Sequence, residues 1–154
     1  MIETLVVLDA LFLLFCASIY LGTGWSLVLF SFPIAPRLTP ETYAVPFVEP
    51  VTHATRWLTW LTIAMLAAAI PLVIAEWGTG YVWVPIVYLA AVILATALTQ
   101  RFIFPYNQEM RSGITDPRRL QTILGKWMRL NRIRTALWTV EWLVMAAYFG
   151  FRAA

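Results

Sequence analysis

The sequence has few groups that could hold a metal ion, cross-link the chain or cradle a phosphate. Cys16 is the only cysteine and His53 is the only histidine among 154 residues. A single cysteine cannot form a disulfide within the chain, and a single histidine excludes bis-histidine haem ligation and histidine-rich zinc or copper sites within one chain. The sequence also has no glycine-rich phosphate loop and no GxSxG nucleophile motif. These absences exclude those sites within one chain, and a haem protein is a weaker possibility, since only His53, Cys16 or a methionine could ligate the iron.

Charged residues are also scarce. They make up 12% of the chain, while 61% of it is hydrophobic, whereas a soluble domain usually has about 25% charged residues. Several apolar runs reach the roughly 20 residues that cross a bilayer. No Lys or Arg precedes Arg37, and a secretory signal needs a basic start, so we expect the first run to be a retained span. The composition predicts an integral membrane protein, a single transmembrane domain over residues 1–154.

Four membrane spans are predicted, at about residues 4–30, 57–76, 81–100 and 134–151. The second and third are joined by the short glycine-containing turn EWGTGY and should be antiparallel neighbours. Five prolines in residues 31–56 make a regular helix there unfavourable, because each interior proline removes a hydrogen bond and clashes with the preceding turn. The predicted fold is an all-α four-helix transmembrane bundle with a proline-rich segment between helices 1 and 2.

The segment before the fourth span carries a helix-start signal. Thr115 or Asp116 can cap a helix in which Pro117 is the first residue, and only Gly125 weakens the pattern that follows. We expect one long helix whose first turns lie in the cytoplasm and whose remainder forms the fourth span. Pro105 is expected to end the third span.

The basic residues predict the orientation of the bundle. Ten of the eleven lie at or beside the connections between spans 1 and 2 and between spans 3 and 4, and only Arg152 lies at the other end. The positive-inside rule then places both termini on the non-cytoplasmic side of the cell (inner) membrane. The basic rim can attract anionic lipid headgroups, so its charge does not indicate a nucleic-acid partner. The bilayer is the expected partner, and a homo-oligomer is left open.

Small residues in the first span predict where a neighbouring helix approaches. Ser18, Gly22 and Ser26 recur at a spacing of four. Such spacing places small side chains on one face of a helix, and in lipid this allows close helix packing. We expect this face to contact another span.

The stretch KWMRLNRIRTALWTVEW carries a polar stripe into the fourth span. Trp127, Asn131, Arg134, Trp138 and Glu141 follow one another at steps of four, three, four and three, which places them on one helix face. Glu141 lies about 10 Å beyond Arg134 along the helix. A carboxylate near the middle of a span costs on the order of 3 kcal/mol, so it should face the bundle interior and find a partner or a proton. The alternative role is a structural hydrogen bond between helices.

This face suits a flat, apolar, partly anionic small molecule. Trp127 and Trp138 would stack on it, while Asn131 and Arg134 would bind its polar group. The alternative for Arg134 is extension to the lipid headgroups. Asn107, in RFIFPYNQEM, would close the cytoplasmic mouth of the bundle, or would bond its own backbone as an Asx turn.

His53 is a second candidate for the catalytic base, in addition to Glu141. It lies in PFVEPVTHATRW, just before the second span. The pKa of histidine suits acid–base work near neutral pH. The alternative is a hydrogen-bonded surface residue at the membrane interface.

The chain resembles the four-span membrane domain-of-unknown-function family that includes the anthrone oxygenases. The resemblance covers roughly residues 5–149. It is carried by FPYN at the end of span 3 and by DPRRLQTILGKWMRLNRIRTALWTVEW leading into span 4. Its most specific residues are Pro105, Asn107, Trp127, Asn131 and Arg134. The resemblance implies a small membrane oxygenase, without metal or flavin, that acts on phenolic, polyketide-like anthrones.

Two hypotheses of function follow. The first is a cofactor-independent oxygenase in which Glu141 or His53 removes a proton from a lipophilic aromatic substrate in a cytoplasm-facing pocket. The second is a non-enzymatic membrane protein that binds lipid, quinone or another small molecule, or acts as an accessory subunit. A transporter is less well supported, because one carboxylate and one stripe do not make a continuous polar path across the bilayer.

Overall fold

The computed structural model describes residues 2–153, and this part of the chain contains helices and turns but no strand. The all-α prediction is confirmed. The regular helices are α1 (Ile2–Ser26), α2 (Glu49–Ala75), α3 (Trp83–Leu98), α4 (Phe104–Arg111) and α5 (Pro117–Ala153).

Three helical stretches have the length and apolar composition needed to cross a membrane: Glu3–Arg37, Ala44–Ala75 and Trp83–Arg111. Their outer surfaces carry large apolar side chains such as Trp57, which is 79% exposed, and Ile74, which is 69% exposed. An apolar exterior of this extent is unfavourable in water and favourable in lipid. These are the properties of a helical membrane protein.

The proline-rich segment is helical but irregular, as predicted. α1 continues through a π-helical turn (Leu27–Ser31) into a 3-10 helix (Phe32–Arg37). The path is interrupted at residues 38–43, and a second π-helical turn (Ala44–Val48) then leads into α2. α2 therefore begins at Glu49, eight residues before the predicted start of the second span.

The prediction that Pro105 ends the third span is wrong. α3 continues through a π-helical turn (Thr99–Ile103) directly into α4, and the helical path ends at Arg111. Pro105 lies at the start of α4. A proline is tolerated in the first turn of a helix, where its missing N–H removes no hydrogen bond.

α5 is one continuous helix of 37 residues, about 55 Å long. Oδ1 of Asp116 accepts a hydrogen bond of 3.0 Å from the backbone N–H of Arg118, so Asp116 is the cap of the two predicted candidates, and the helix begins at Pro117 as predicted. α5 packs against α1 and α3, while α2 packs against α1 and α3 from the other side. The four long helices thus form a ring in which α2 lies across from α5.

Two apolar clusters fill the ends of this ring. One joins α1, α2, α3 and the second half of α5, and includes Tyr20, Met65 and Trp138. The other joins the proline-rich segment, α4 and the first half of α5 around Trp127. The ring of Trp127 meets Phe32 and Phe47 edge-on, at 5.9 and 5.6 Å between ring centroids.

α1 and α5 approach each other closely at Gly24. A Cβ at this position would lie 2.8 Å from Oγ1 of Thr135 and 2.9 Å from the ring of Trp138. The small-residue contact predicted at Gly22 is wrong, because Gly22 is exposed and a Cβ there would meet nothing within 4 Å. Ser18 does contact α5, where it accepts a 3.1 Å hydrogen bond from the indole of Trp142.

A buried carboxylate that the sequence did not reveal ties the end of α2 to the end of α5. Glu76 is buried and accepts hydrogen bonds from the hydroxyls of Tyr148 and, at 2.7 Å, Thr79. Arg152 lies 3.6 Å from the same carboxylate and also donates to the Tyr148 hydroxyl at 3.0 Å. This cluster holds α2 and α5 together at the end of the bundle opposite the basic rim.

Candidate functional site

A cavity of about 550 Å³ lies between α2 and α5, where the two apolar clusters meet. This volume is within the range of about 300–1,000 Å³ that is typical of small-molecule sites. Every long helix contributes to its wall, which is mostly apolar with scattered hydroxyl groups. The wall includes Tyr20, Phe47, Leu58, Thr62, Met65, Val92, Ala95, Thr96, Thr99, Asn107, Trp127, Arg134, Trp138 and Glu141.

Glu141 brings a carboxyl group into this apolar cavity. Its residue exposure is 1%, and within residues 2–153 neither carboxyl oxygen has a hydrogen-bond partner. Buried polar groups almost always have a partner, and an orphaned one calls for a functional explanation. Both oxygens are therefore available to a guest molecule.

Arg134 brings a cation into the same cavity. One terminal nitrogen, Nη1, donates to Oγ1 of Thr99 at 3.4 Å, and Nη2 donates to Oδ1 of Asn131. The guanidinium carbon lies 4.4 Å from the ring centroid of Trp138, a cation–π contact. These contacts hold the guanidinium at the cavity wall.

Asn131 lies behind the cavity wall and contacts Arg134. It is 1% exposed but is absent from the cavity wall. Its amide donates to the backbone carbonyl of Trp127 at 2.8 Å while its oxygen accepts from Arg134. Asn131 therefore positions the guanidinium, and direct contact with a guest would fall to Arg134.

Asn107 and Trp127 form one end of the cavity. The indole N–H of Trp127 donates to Oδ1 of Asn107 at 2.7 Å, and both side chains are buried. The Asn107 side chain therefore bonds across to α5, and this is not the contact of a local Asx turn. The bond fixes the orientation of the large indole ring toward the cavity.

His53 is not brought into this site. It is exposed in the first turns of α2 and is not part of the cavity wall. The cavity thus collects Glu141, Arg134, Trp127, Trp138 and Asn107, and leaves the histidine outside.

Tyr20 is a cavity residue that sequence reasoning missed. Its ring lies 4.8 Å from that of Trp138. Its hydroxyl donates to the backbone carbonyl of Leu58 and lies 2.6 Å from Oγ1 of Thr62. No local pattern marks this tyrosine, because its hydrogen-bond partners Leu58 and Thr62 lie on α2, 38 and 42 residues away along the chain.

No protein-family model, curated protein or solved structure matches this chain. Within the described residues, no group of three or more His, Cys, Asp and Glu side chains is placed to hold a metal ion. The chemistry of the cavity is therefore the basis for a functional proposal.

Proposed function

We propose that the chain is a membrane oxygenase of the anthrone-oxygenase type. It would bind a flat, lipophilic, phenolic molecule between α2 and α5 and oxidise it with O2 without a cofactor. One observation carries this proposal: the unpartnered carboxyl group of Glu141 and the guanidinium of Arg134 line the same apolar cavity.

The spacing of these two groups supports a guest between them. Seven residues of helix place them about 10 Å apart along α5. Within residues 2–153 the two salt bridges are Arg119–Glu109 and Arg152–Glu76, so Arg134 and Glu141 do not neutralise each other. A molecule of fused aromatic rings could place an anionic oxygen at Arg134 and a reactive carbon near Glu141.

In the proposed reaction, the carboxylate of Glu141 removes a proton from the acidic methylene carbon of an anthrone. The resulting carbanion is electron-rich and passes electrons to O2, which becomes bonded to the same carbon. One oxygen atom stays on that carbon as a carbonyl group, and the other leaves as water with the two methylene hydrogens. Arg134 would stabilise the negative charge on the ring oxygen, as preorganised donors do in a water-poor site.

The same proposal includes a membrane arrangement for α5. The second half of this helix would form the fourth span, because its outward face carries exposed apolar residues such as Val140 and Leu143, while Glu141 and Arg134 face the cavity. Its first turns would lie in the cytoplasm, and both termini on the other side, as the basic residues favour. The end of the cavity near Asn107 would then be the cytoplasmic end.

Oxygen uptake tests this proposal. Purified protein would be mixed aerobically with an anthrone such as emodin anthrone, and uptake above the uncatalysed rate is expected. Glu141→Gln should lower kcat by roughly 10²-fold or more, as the loss of a general base does, while His53→Ala should retain wild-type turnover. If wild-type protein gives no uptake above the uncatalysed rate, the oxygenase proposal is rejected for this substrate class.

A second candidate function is binding without reaction. Catalytic bases are commonly oriented by another polar group, and within the described residues nothing is bonded to the carboxyl group of Glu141. This observation also fits a protein that retains a quinone or lipid, with a protonated Glu141 donating a hydrogen bond to a ligand oxygen. A tightly bound molecule that co-purifies with the protein and survives aerobic incubation unchanged would support this candidate over the oxygenase.

A further inference from the structure

A second groove lies on the outside of the bundle, between the α3–α4 junction and α5. Its volume is about 550 Å³. It shares none of its residues with the cavity described above. Its wall consists of three cations, four apolar residues and one tyrosine: Arg101, Lys126, Arg129, Phe102, Pro105, Leu130, Ile133 and Tyr106.

The three cations of this groove are exposed and uncompensated. Arg101, Lys126 and Arg129 all lie at the protein surface. The salt bridges of the described chain join other residues, and the only acidic partners in them are Glu109 and Glu76. Lys126 and Arg129 lie three residues apart on α5, and two positive charges at this spacing without a carboxylate partner favour the binding of an anion.

The groove changes from cationic to apolar along α5. Lys126, Arg129, Leu130 and Ile133 follow one another at steps of three, one and three, so they share one face over about 10 Å. Ile133 at the apolar end is 48% exposed, and Phe102 opposite it is 53% exposed. The cationic part of the groove suits an anionic headgroup, and its apolar part suits an acyl chain. A phospholipid contains both.

We propose that this groove binds an anionic phospholipid. Its phosphate would lie between Lys126 and Arg129, where a guanidinium group can donate paired hydrogen bonds to phosphate oxygens. An acyl chain would lie along Phe102, Leu130 and Ile133. Basic pockets between helices at a membrane surface are suited to such headgroups. This site does not depend on any reaction in the inner cavity.

Native mass spectrometry of the detergent-released protein tests this site. Titration with phosphatidylglycerol should give saturable adducts, and phosphatidylcholine should give far fewer. Each cation near the headgroup contributes about five-fold to binding, so the double variant Lys126→Gln/Arg129→Gln should bind phosphatidylglycerol about thirty-fold more weakly. The matched control is Arg37→Gln/Arg118→Gln, which removes two exposed cations outside the groove and should retain wild-type binding.

The remaining outcomes decide against the proposal. Equal loss in the control double variant would show a diffuse attraction to the whole basic rim. Equal adducts with phosphatidylcholine would show no recognition of charge. A thermal shift with inorganic phosphate as large as that with phosphatidylglycerol would assign the site to free phosphate. If the double variant lost its helical circular dichroism, the single variants Lys126→Gln and Arg129→Gln would be titrated, and unchanged binding in both would also overturn the proposal.

Discussion

Arg134 and Glu141 line one cavity from the same helix and form no salt bridge with each other in the described chain. Burying two ionisable groups apart is unfavourable for their charged forms, since each loses its hydration and neither gains the other's field. Arg134 recovers part of this cost through Thr99, Asn131 and Trp138. Glu141 recovers none from the described chain. Such an arrangement is expected where a third, incoming group completes the set of contacts.

Arg134→Lys should weaken binding of a phenolic guest even though the charge is kept. A lysine ammonium has no planar fork, so it cannot bond Asn131 and Thr99 together while it stacks on Trp138. We expect a loss of about 1.5–3 kcal/mol, the range for a hydrogen bond to a charged group. Titration of a hydroxyanthraquinone measures it, with Arg118→Lys as the exposed control on the same helix. Equal affinity in wild type and Arg134→Lys would show that the guanidinium does not contact the guest.

Asn107→Leu should destabilise the fold at the Trp127 end of the cavity. The change leaves the buried indole N–H of Trp127 without its 2.7 Å acceptor, and an unpaired buried donor costs about 1–3 kcal/mol. Thermal unfolding in detergent measures the loss. Gln108→Leu, at the exposed neighbouring position, is the control and should leave the melting temperature nearly unchanged. A melting temperature for Asn107→Leu equal to that of the control would argue against this bond.

Gly24→Ala should be strongly unfavourable, because the added methyl group would overlap Thr135 and Trp138. Overpacking of this kind typically costs about 1–3 kcal/mol. Gly22→Ala, two residues earlier, should instead be neutral or slightly stabilising, since its methyl group meets nothing and alanine favours a helix. Thermal unfolding of the two variants side by side tests the α1–α5 contact. The reverse order of stability would contradict the packing described.

Tyr148→Phe should loosen the contact between the ends of α2 and α5. The phenol bonds the buried carboxylate of Glu76, and its loss should cost about 1.5–3 kcal/mol. A double-mutant cycle with Glu76→Gln should give a coupling energy of about 0.5–3 kcal/mol. The control is Tyr106→Phe, whose hydroxyl makes no hydrogen bond to other described residues. Additive effects of Tyr148→Phe and Glu76→Gln would mean that the two side chains act independently.

Helical periodicity predicted the polar face of α5 because all residues of that face lie on the same helix. The steps of three and four among Trp127, Asn131, Arg134, Trp138 and Glu141 required no knowledge of the partner helices. All of these side chains are buried except that of Arg134, which is half-buried. The start signal of Thr115 or Asp116 followed by Pro117 predicted the long helix, and the five prolines of residues 31–56 predicted the irregular segment.

Contacts between distant elements could not be predicted in this way. The spacing of small residues predicted a contact at Gly22, but α5 contacts α1 at Gly24. Which of the two glycines lies in the contact depends on how the helices cross, and the sequence of α1 does not contain that information. Glu76 is part of what looked like a simple turn, and its partner Tyr148 is 72 residues away. Pro105 failed as a helix end because a π-helical turn before it allows a new helix to begin without a break.

The most direct test of the inner cavity is equilibrium binding of a hydroxyanthraquinone to the protein in lipid nanodiscs. Ala54 lines the cavity, whereas Ala97 is exposed and outside its wall. We predict saturable binding at one site in wild type and in Ala97→Phe, and loss of binding in Ala54→Phe, in which the added ring fills the space. Absence of saturable binding in wild type, or equal binding in both variants, would contradict the proposal that this cavity receives an aromatic guest.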